Sequence, residues 1–184
     1  MHRHERRLPH WDMTGHPLFV TFRLNGSLPP NRVFPPESLT TGRAFLAMDR
    51  LLDNARTGPL YLGMPEIAAC VLDALREGAR KLDRYQLHSF TIMPNHVHLL
   101  VTPRVPATRW LGPLKGFTAH QANQILSRHG HSFWQDESYD RLVRDGEEFG
   151  RIQHYIEYNA VKAGLAFLPE DYPWCSAAKM QSAA

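Results

Sequence analysis

YQLHSFTIMPNHVHLLVT, residues 85–102, holds two β-runs with almost nothing between them. YQLHSFTIM (85–93) and HVHLLVT (96–102) are rich in β-branched and aromatic residues. Pro94-Asn95 separates them, a pair that ends or bulges a strand. Two strands joined this tightly pair antiparallel, because a parallel partner needs a crossover of a dozen residues or more.

Working outward, PLFVTFRL (17–24) alternates around Phe19, Thr21 and Arg23 and reads as a further strand. The proline-rich NGSLPPNRVFPPES (25–38) reads as a loop. Residues 43–56 and 65–82 read as two helices parted by TGP (57–59), the second carrying an apolar stripe at Ile67, Val71, Leu72, Leu75 and Ala79. Residues 108–129 read as a third helix, weakened by Gly112, Pro113 and Gly116. SYDRLVR (138–144) reads as a short strand, and 146–164 as a last helix that Gly164 caps. The order β-αα-ββ-α-β-α predicts an α+β sandwich, with helices packed on a mainly antiparallel sheet. A chain of 184 residues suits one domain rather than two. Residues 1–16 read as a basic N-terminal arm, 17–178 as the domain, and 179–184 as a C-terminal tail.

Composition excludes several classes. With 43% apolar and 21% charged residues the chain can bury a core, so it is not a disordered protein. No apolar run approaches the roughly 18 residues of a membrane span, and the polar start lacks the form of a secretory signal. Cys70 and Cys175 make neither a disulfide framework nor a metal knuckle. The expected setting is the reducing cytoplasm. Charge is unevenly spread. From Arg84 to Gln135 there is no Asp or Glu, yet the stretch carries five Lys or Arg and six of the eleven histidines. Such a segment is either a solvated face or a phosphate-binding surface. Arg3, Arg6 and Arg7 form a second basic cluster.

On the strand NHVHLL (95–100), alternate side chains share a face, so His96 and His98 project together while Val97 and Leu99 turn to the core. Two such imidazoles can hold one divalent cation. The ordinary alternative is a pair of surface histidines on a half-exposed strand. Carboxylates are absent from this stretch, as suits a site that receives a polyanion. In QHYIEYNAVKAG (153–164), Tyr155 and Asn159 stand four apart and share a helix face, a hydroxyl beside an amide oxygen able to ligate a hard cation. Helical spacing does not separate Tyr155 from Tyr158. The chain has no G-x-S-x-G elbow, P-loop, G-x-G-x-x-G or H-E-x-x-H.

Five blocks in order, SFTIMPNHVHLLVTP (89–103), LKGFTAHQANQIL (114–126), FWQDESYDRLVRD (133–145), YIEYNAVKAGL (155–165) and DYPWCSA (171–177), resemble the REP-associated tyrosine transposases. These are HUH single-strand DNA endonucleases, related to the insertion-sequence single-tyrosine transposases. The resemblance runs from about Pro17 to Ala178. It implies a ferredoxin-like core and a metal site of His96, His98 and Asn159 holding Mg²⁺ or Mn²⁺. It also implies Tyr155 as nucleophile, forming a 5′-phosphotyrosine with single-stranded DNA beside a palindromic hairpin. Such a protein acts as a monomer or a homodimer. Ala160 and Cys175 stand where the family usually has Pro and Ser; neither change removes a reacting group. Because an ordinary tyrosine is neutral at pH 7, the metal or a nearby base must help take its proton. Lys115, His120, Arg3, Arg6 and Arg7 are the expected DNA contacts. Two readings compete: a domesticated protein that binds the hairpin without cutting it, and a metal hydrolase that uses the histidines with water and needs no tyrosine.

Overall fold

The hairpin sets the register for everything else. The computed structural model describes residues 13–28, 47, 49–53 and 58–179. In it Tyr85–Ile92 (β2) and His96–Pro103 (β3) pair antiparallel, with Thr91 opposite His98 and a bulge between Leu87 and Ser89. The amide of Met93 donates to the carbonyl of His96 at 2.8 Å and closes the turn. Leu18–Arg23 (β1) lies on the other side of β3, placing Thr21 opposite His98 and Arg23 opposite His96. Tyr139–Leu142 (β4) pairs with the far edge of β1. The order β2-β3-β1-β4 is antiparallel throughout. This is the ferredoxin-like arrangement of two interleaved split βαβ units. The expected α+β fold is therefore the observed one.

Helices occupy both faces. Pro65–Arg80 (α2) starts on a proline, buries Ile67, Ala68, Val71, Leu72 and Leu75, and packs with Ala107–Ile125 (α3) on one face. Val97, Leu99 and Val101 of β3 point into this layer. Gly78 sits where α2 crosses β2: a Cβ there would lie 2.4 Å from the Tyr85 hydroxyl, which donates to the Leu75 carbonyl. The other face carries Gly146–Glu157 (α4), whose Ile156 packs with Phe19, Leu100, Val143 and Leu52. Leu52 belongs to a short helical segment, residues 49–53 (α1), the described part of the helix expected over 43–56. The helix expected over 146–164 is interrupted. It caps at Tyr158 (φ −86°, ψ 0°) and resumes as Asn159–Lys162 (α5). Gly164 ends α5 at φ +72°, as expected of a C-cap, with the Leu165 amide donating back to the Ala160 carbonyl. The helix expected over 108–129 stops at Ile125, and Ser127 turns to φ +52°. The segment 171–177 lines the β2 edge, where the Ser176 amide donates to the Phe90 carbonyl and the Ile92 amide to the Trp174 carbonyl. No described helix is long and apolar enough to cross a membrane.

The start of α4 is pinned by charge. Asp145 caps it by accepting from the Glu148 amide at 2.7 Å. Glu148 is buried, accepts from the Arg144 amide at 2.9 Å and its Nε at 3.1 Å, and pairs with Arg141 of β4. The Arg144 hydrogen bonds hold its carboxyl near pKa 2, against 4.5 for a free one. A depressed folded-state pKa gives stability that is present above about pH 4.5 and lost as pH falls toward 2. Glu148→Gln is therefore expected to cost about 1–3 kcal/mol at pH 7. In urea unfolding, its deficit against the wild type should shrink steadily as the pH drops through that window.

Candidate functional site

The face of the sheet under α4 carries polar groups where a sheet core is normally apolar. His96 and His98 are both 0% exposed, so the structure replaces the half-exposed strand face with a sealed one. α4 and α1 supply the cover. The two imidazoles meet: Nε2 of His96 lies 3.0 Å from Nε2 of His98.

Their outer nitrogens are each held. The Asn95 side chain donates through Nδ2 to the Leu52 carbonyl at 2.9 Å, which turns its Oδ1 toward His96. That oxygen only accepts, so His96 donates to it from Nδ1, 2.6 Å away. His96 is therefore the Nδ1–H tautomer, and its Nε2 lone pair faces His98. Burial, with His98 adding to it, lowers the His96 pKa to about 3, so the ring is neutral. Nδ1 of His98 lies 2.7 Å from the Thr21 hydroxyl. Second partners of this kind fix the ring orientation of metal-ligating histidines.

A carboxylate completes the cluster. Asp49 of α1, buried, brings Oδ1 to 3.0 Å from Nε2 of His98 and 3.6 Å from Nε2 of His96. Burial alone would raise its pKa, but the two histidines and the hydrogen bond from Asn159 outweigh it and leave the group below the usual carboxylate range. Asp53, one turn on, reaches 3.9 Å from His96, and burial beside Asp49 raises it to about 6. The expectation that this neighbourhood lacks carboxylates is thus corrected. The stretch 84–135 contains none, but α1 brings two from outside it. Asp49, His96 and His98 form a buried group able to hold a metal ion. The separations fit one: ligands about 2.1 Å from a hard cation, at right angles, stand about 3.0 Å apart.

The helix junction delivers the remaining groups. Asn159 is 0% exposed, donates from Nδ2 to Oδ2 of Asp49 at 3.3 Å, and leaves its Oδ1 without a partner among the described residues. The Tyr155 ring packs edge-on to His98, centroids 5.8 Å apart, and to Phe19 at 6.1 Å. Nζ of Lys162 sits 4.6 Å from the Tyr155 ring centre. Tyr158 points elsewhere: it is exposed and lies against His154, with ring centres 4.0 Å apart.

Residues 66–159 match the family described as IS200-like transposases. The chain is a member of that family. The match covers half of the chain and includes His96, His98, Tyr155 and Asn159. Among solved structures, a REP-associated tyrosine transposase bound to a REP hairpin is similar in fold (TM-score 0.55, 15% identity), over 96% of this chain and 82% of that one. A candidate transposase from Deinococcus radiodurans R1 gives TM-score 0.44 at 17% identity over 86% and 98%. Comparison with curated proteins finds no match.

The expected DNA contacts of this transposase fall apart in space. Lys115 and His120 are on α3, across the sheet from the histidines. The Lys115 ammonium donates to the Gln135 and Asp136 carbonyls at 2.7 and 3.0 Å and to the Ser138 hydroxyl at 3.3 Å, tying down the approach to β4. His120 is exposed, 3.1 Å from Gln124. Arg3, Arg6 and Arg7 lie outside the described residues. Sequence reading missed Asp49, Asp53, Thr21, Asn95 and Lys162. Its available signal was Asp49 and Asp53 standing four apart on an expected helix, hence on one face.

The tautomer is open to direct test. In long-range ¹H–¹⁵N spectra of the metal-free protein, His96 should show Nδ1–H and unprotonated Nε2 throughout pH 5–8, without titrating. Asn95→Ala should abolish that fixed tautomer.

Proposed function

We propose that this transposase cuts and rejoins single-stranded DNA beside a palindromic hairpin, with Tyr155 as its nucleophile. The observation that carries the reading is the packing of the Tyr155 ring against His98, inside a cluster of two buried imidazoles, a carboxylate and an amide oxygen without a partner among the described residues. Family membership supports it, and so does the solved relative of similar fold, which is bound to a REP hairpin.

His96, His98 and Asn159 would hold Mg²⁺ or Mn²⁺. Bound there, the ion supplies Lewis-acid polarisation of the scissile phosphate and neutralises charge on its oxygens. Tyr155 attacks the phosphorus in line, its Oη–P bond forms, and the P–O3′ bond breaks. The phenol proton leaves the nucleophile, and the departing O3′ takes up a proton to become a 3′-hydroxyl. The 5′-phosphate stays esterified to Tyr155. A 3′-hydroxyl that later attacks that ester reverses the bond changes and reseals or joins strands without ATP. Lys162 sets a positive charge over the tyrosine ring, where the phosphate must approach. Thr21 and Asn95 keep the imidazoles in their ligating orientation. Lys115, His120, Arg3, Arg6 and Arg7 are proposed phosphate contacts, and the hairpin, being larger than the cleavage site, would reach beyond the histidine face.

The test uses labelled single-stranded DNA from hairpin repeats, Mn²⁺, and a denaturing gel that resolves cut strands and protein–DNA adducts together. Wild type should give both. Tyr155→Phe should bind the DNA yet lose cleavage and adduct, by at least about a thousandfold on the scale of a removed nucleophile. Tyr158→Phe should stay active, and EDTA should abolish cutting. Cutting by Tyr155→Phe would instead make water the nucleophile. Binding without any cutting, in wild type as well, would make this a hairpin-binding protein.

A further inference from the structure

The ligand set expected from the tyrosine helix and the histidine strand is neutral: two imidazoles and an amide. α1 adds something of another kind. The Asp49 carboxylate is buried, and its two oxygens face different ways. Oδ2 accepts from Nδ2 of Asn159 at 3.3 Å, while Oδ1 lies 3.0 and 3.6 Å from the two imidazole Nε2 atoms. One oxygen is thus held by a side chain of α5, and the other is aimed where the ring nitrogens meet. Nε2 of His96 carries a lone pair, since its Nδ1–H is committed to Asn95. Nε2 of His98 and Oδ1 of Asp49 converge on that lone pair in a buried volume, two nitrogens and a carboxylate oxygen that suit one divalent cation. The Asn159 Oδ1 atom, wholly buried at the same junction and without a partner among the described residues, is a further oxygen open to a cation there.

On the reading of a divalent ion at His96 and His98 set out above, we infer that Asp49 is that ion's anionic ligand, so that the metal loads before any DNA arrives. A neutral ligand set holds a hard dication weakly until the phosphate brings negative charge to it. A carboxylate in the set supplies it at once, and hard cations favour such oxygen ligands. The same bond would clamp α1 to the sheet, adding to the Leu52 carbonyl's grip on Asn95. Asp53 differs: at 3.9 Å from His96 it stands outside the trio of converging atoms.

The experiment is Mn²⁺ titration of the full-length protein without DNA, followed by calorimetry and by the electron paramagnetic resonance of free Mn²⁺. Wild type is expected to bind one ion. Asp49→Asn, nearly the same in shape, is expected to weaken it at least about tenfold, the lower end for disturbed metal sites. Asp53→Asn is expected to weaken it less. Thermal melts guard against misfolding. Mn²⁺ should raise the wild-type midpoint, because it binds the folded state, and Asp49→Asn should melt cooperatively but shift much less. Wild-type affinity in Asp49→Asn overturns the assignment of Asp49 alone and leaves the metal site on the histidines standing. Equal losses in the two Asp variants also overturn it, since they would reflect general charge rather than ligation. Absence of Mn²⁺ binding by the wild type overturns this inference, and if cleavage then survives EDTA the metal-dependent reading falls as well.

Discussion

Two buried imidazoles, set edge to face with their Nε2 atoms together, govern this structure. Burial lowers the pKa of His96, and the 3.0 Å between the two inner nitrogens leaves no room for water. Everything around them answers that constraint. Asn95 and Thr21 take the outer nitrogens, Asp49 brings the compensating charge, and Asn159 steadies Asp49. None of these partners comes from the same element as another. β1, the β2–β3 turn, α1 and α5 each contribute one. The ferredoxin-like sheet is what brings them to one place, because β3 lies in its interior with β1 and β2 on either side.

Division of labour between the two faces follows from the strand period. Odd-numbered residues of β3 from Val97 to Val101 build an ordinary apolar layer with α2 and α3. Even-numbered His96 and His98 would not fit such a layer, so the opposite face holds the polar cluster, and Leu100 joins it to the small core beneath α4. The tyrosine helix is not fixed by that small core alone. Asp145, Glu148 and the two arginines anchor its start, while the break at Tyr158 lets Asn159 turn inward and Tyr158 stay outside. An unbroken helix was the simpler reading of residues 146–164. The structure gives it up where a buried amide meets a carboxylate.

The hairpin, the four strands and the main helices were legible, because each rests on local signals: alternation, an apolar stripe, Pro94-Asn95, Gly164. His96 and His98 were legible for the same reason, as neighbours on one strand. Their burial was not, since it depends on what α4 and α1 cover. Asp49 and Asp53 lie outside the acid-free segment, so charge along the chain does not reveal the carboxylates that folding brings to it. Folding joins residues more than forty positions apart, and their i,i+4 spacing on an expected helix was the trace left in the sequence. Lys115 shows the converse. Its place in a basic segment is visible in the sequence, whereas the two carbonyls and the hydroxyl that its ammonium meets come from folding. Choosing Tyr155 over Tyr158 needed the family resemblance. The two rings lie in different surroundings, one beside His98 and one beside His154, which helical spacing alone does not reveal.

The central claim is that a single cation belongs between these imidazoles. Anomalous diffraction from crystals soaked in Mn²⁺, recorded without DNA, tests it most directly. The account requires one strong peak within bonding distance of Nε2 of His96 and Nε2 of His98, with Oδ1 of Asp49 in its coordination sphere. An empty cluster at saturating Mn²⁺, or a peak on other residues, would contradict it.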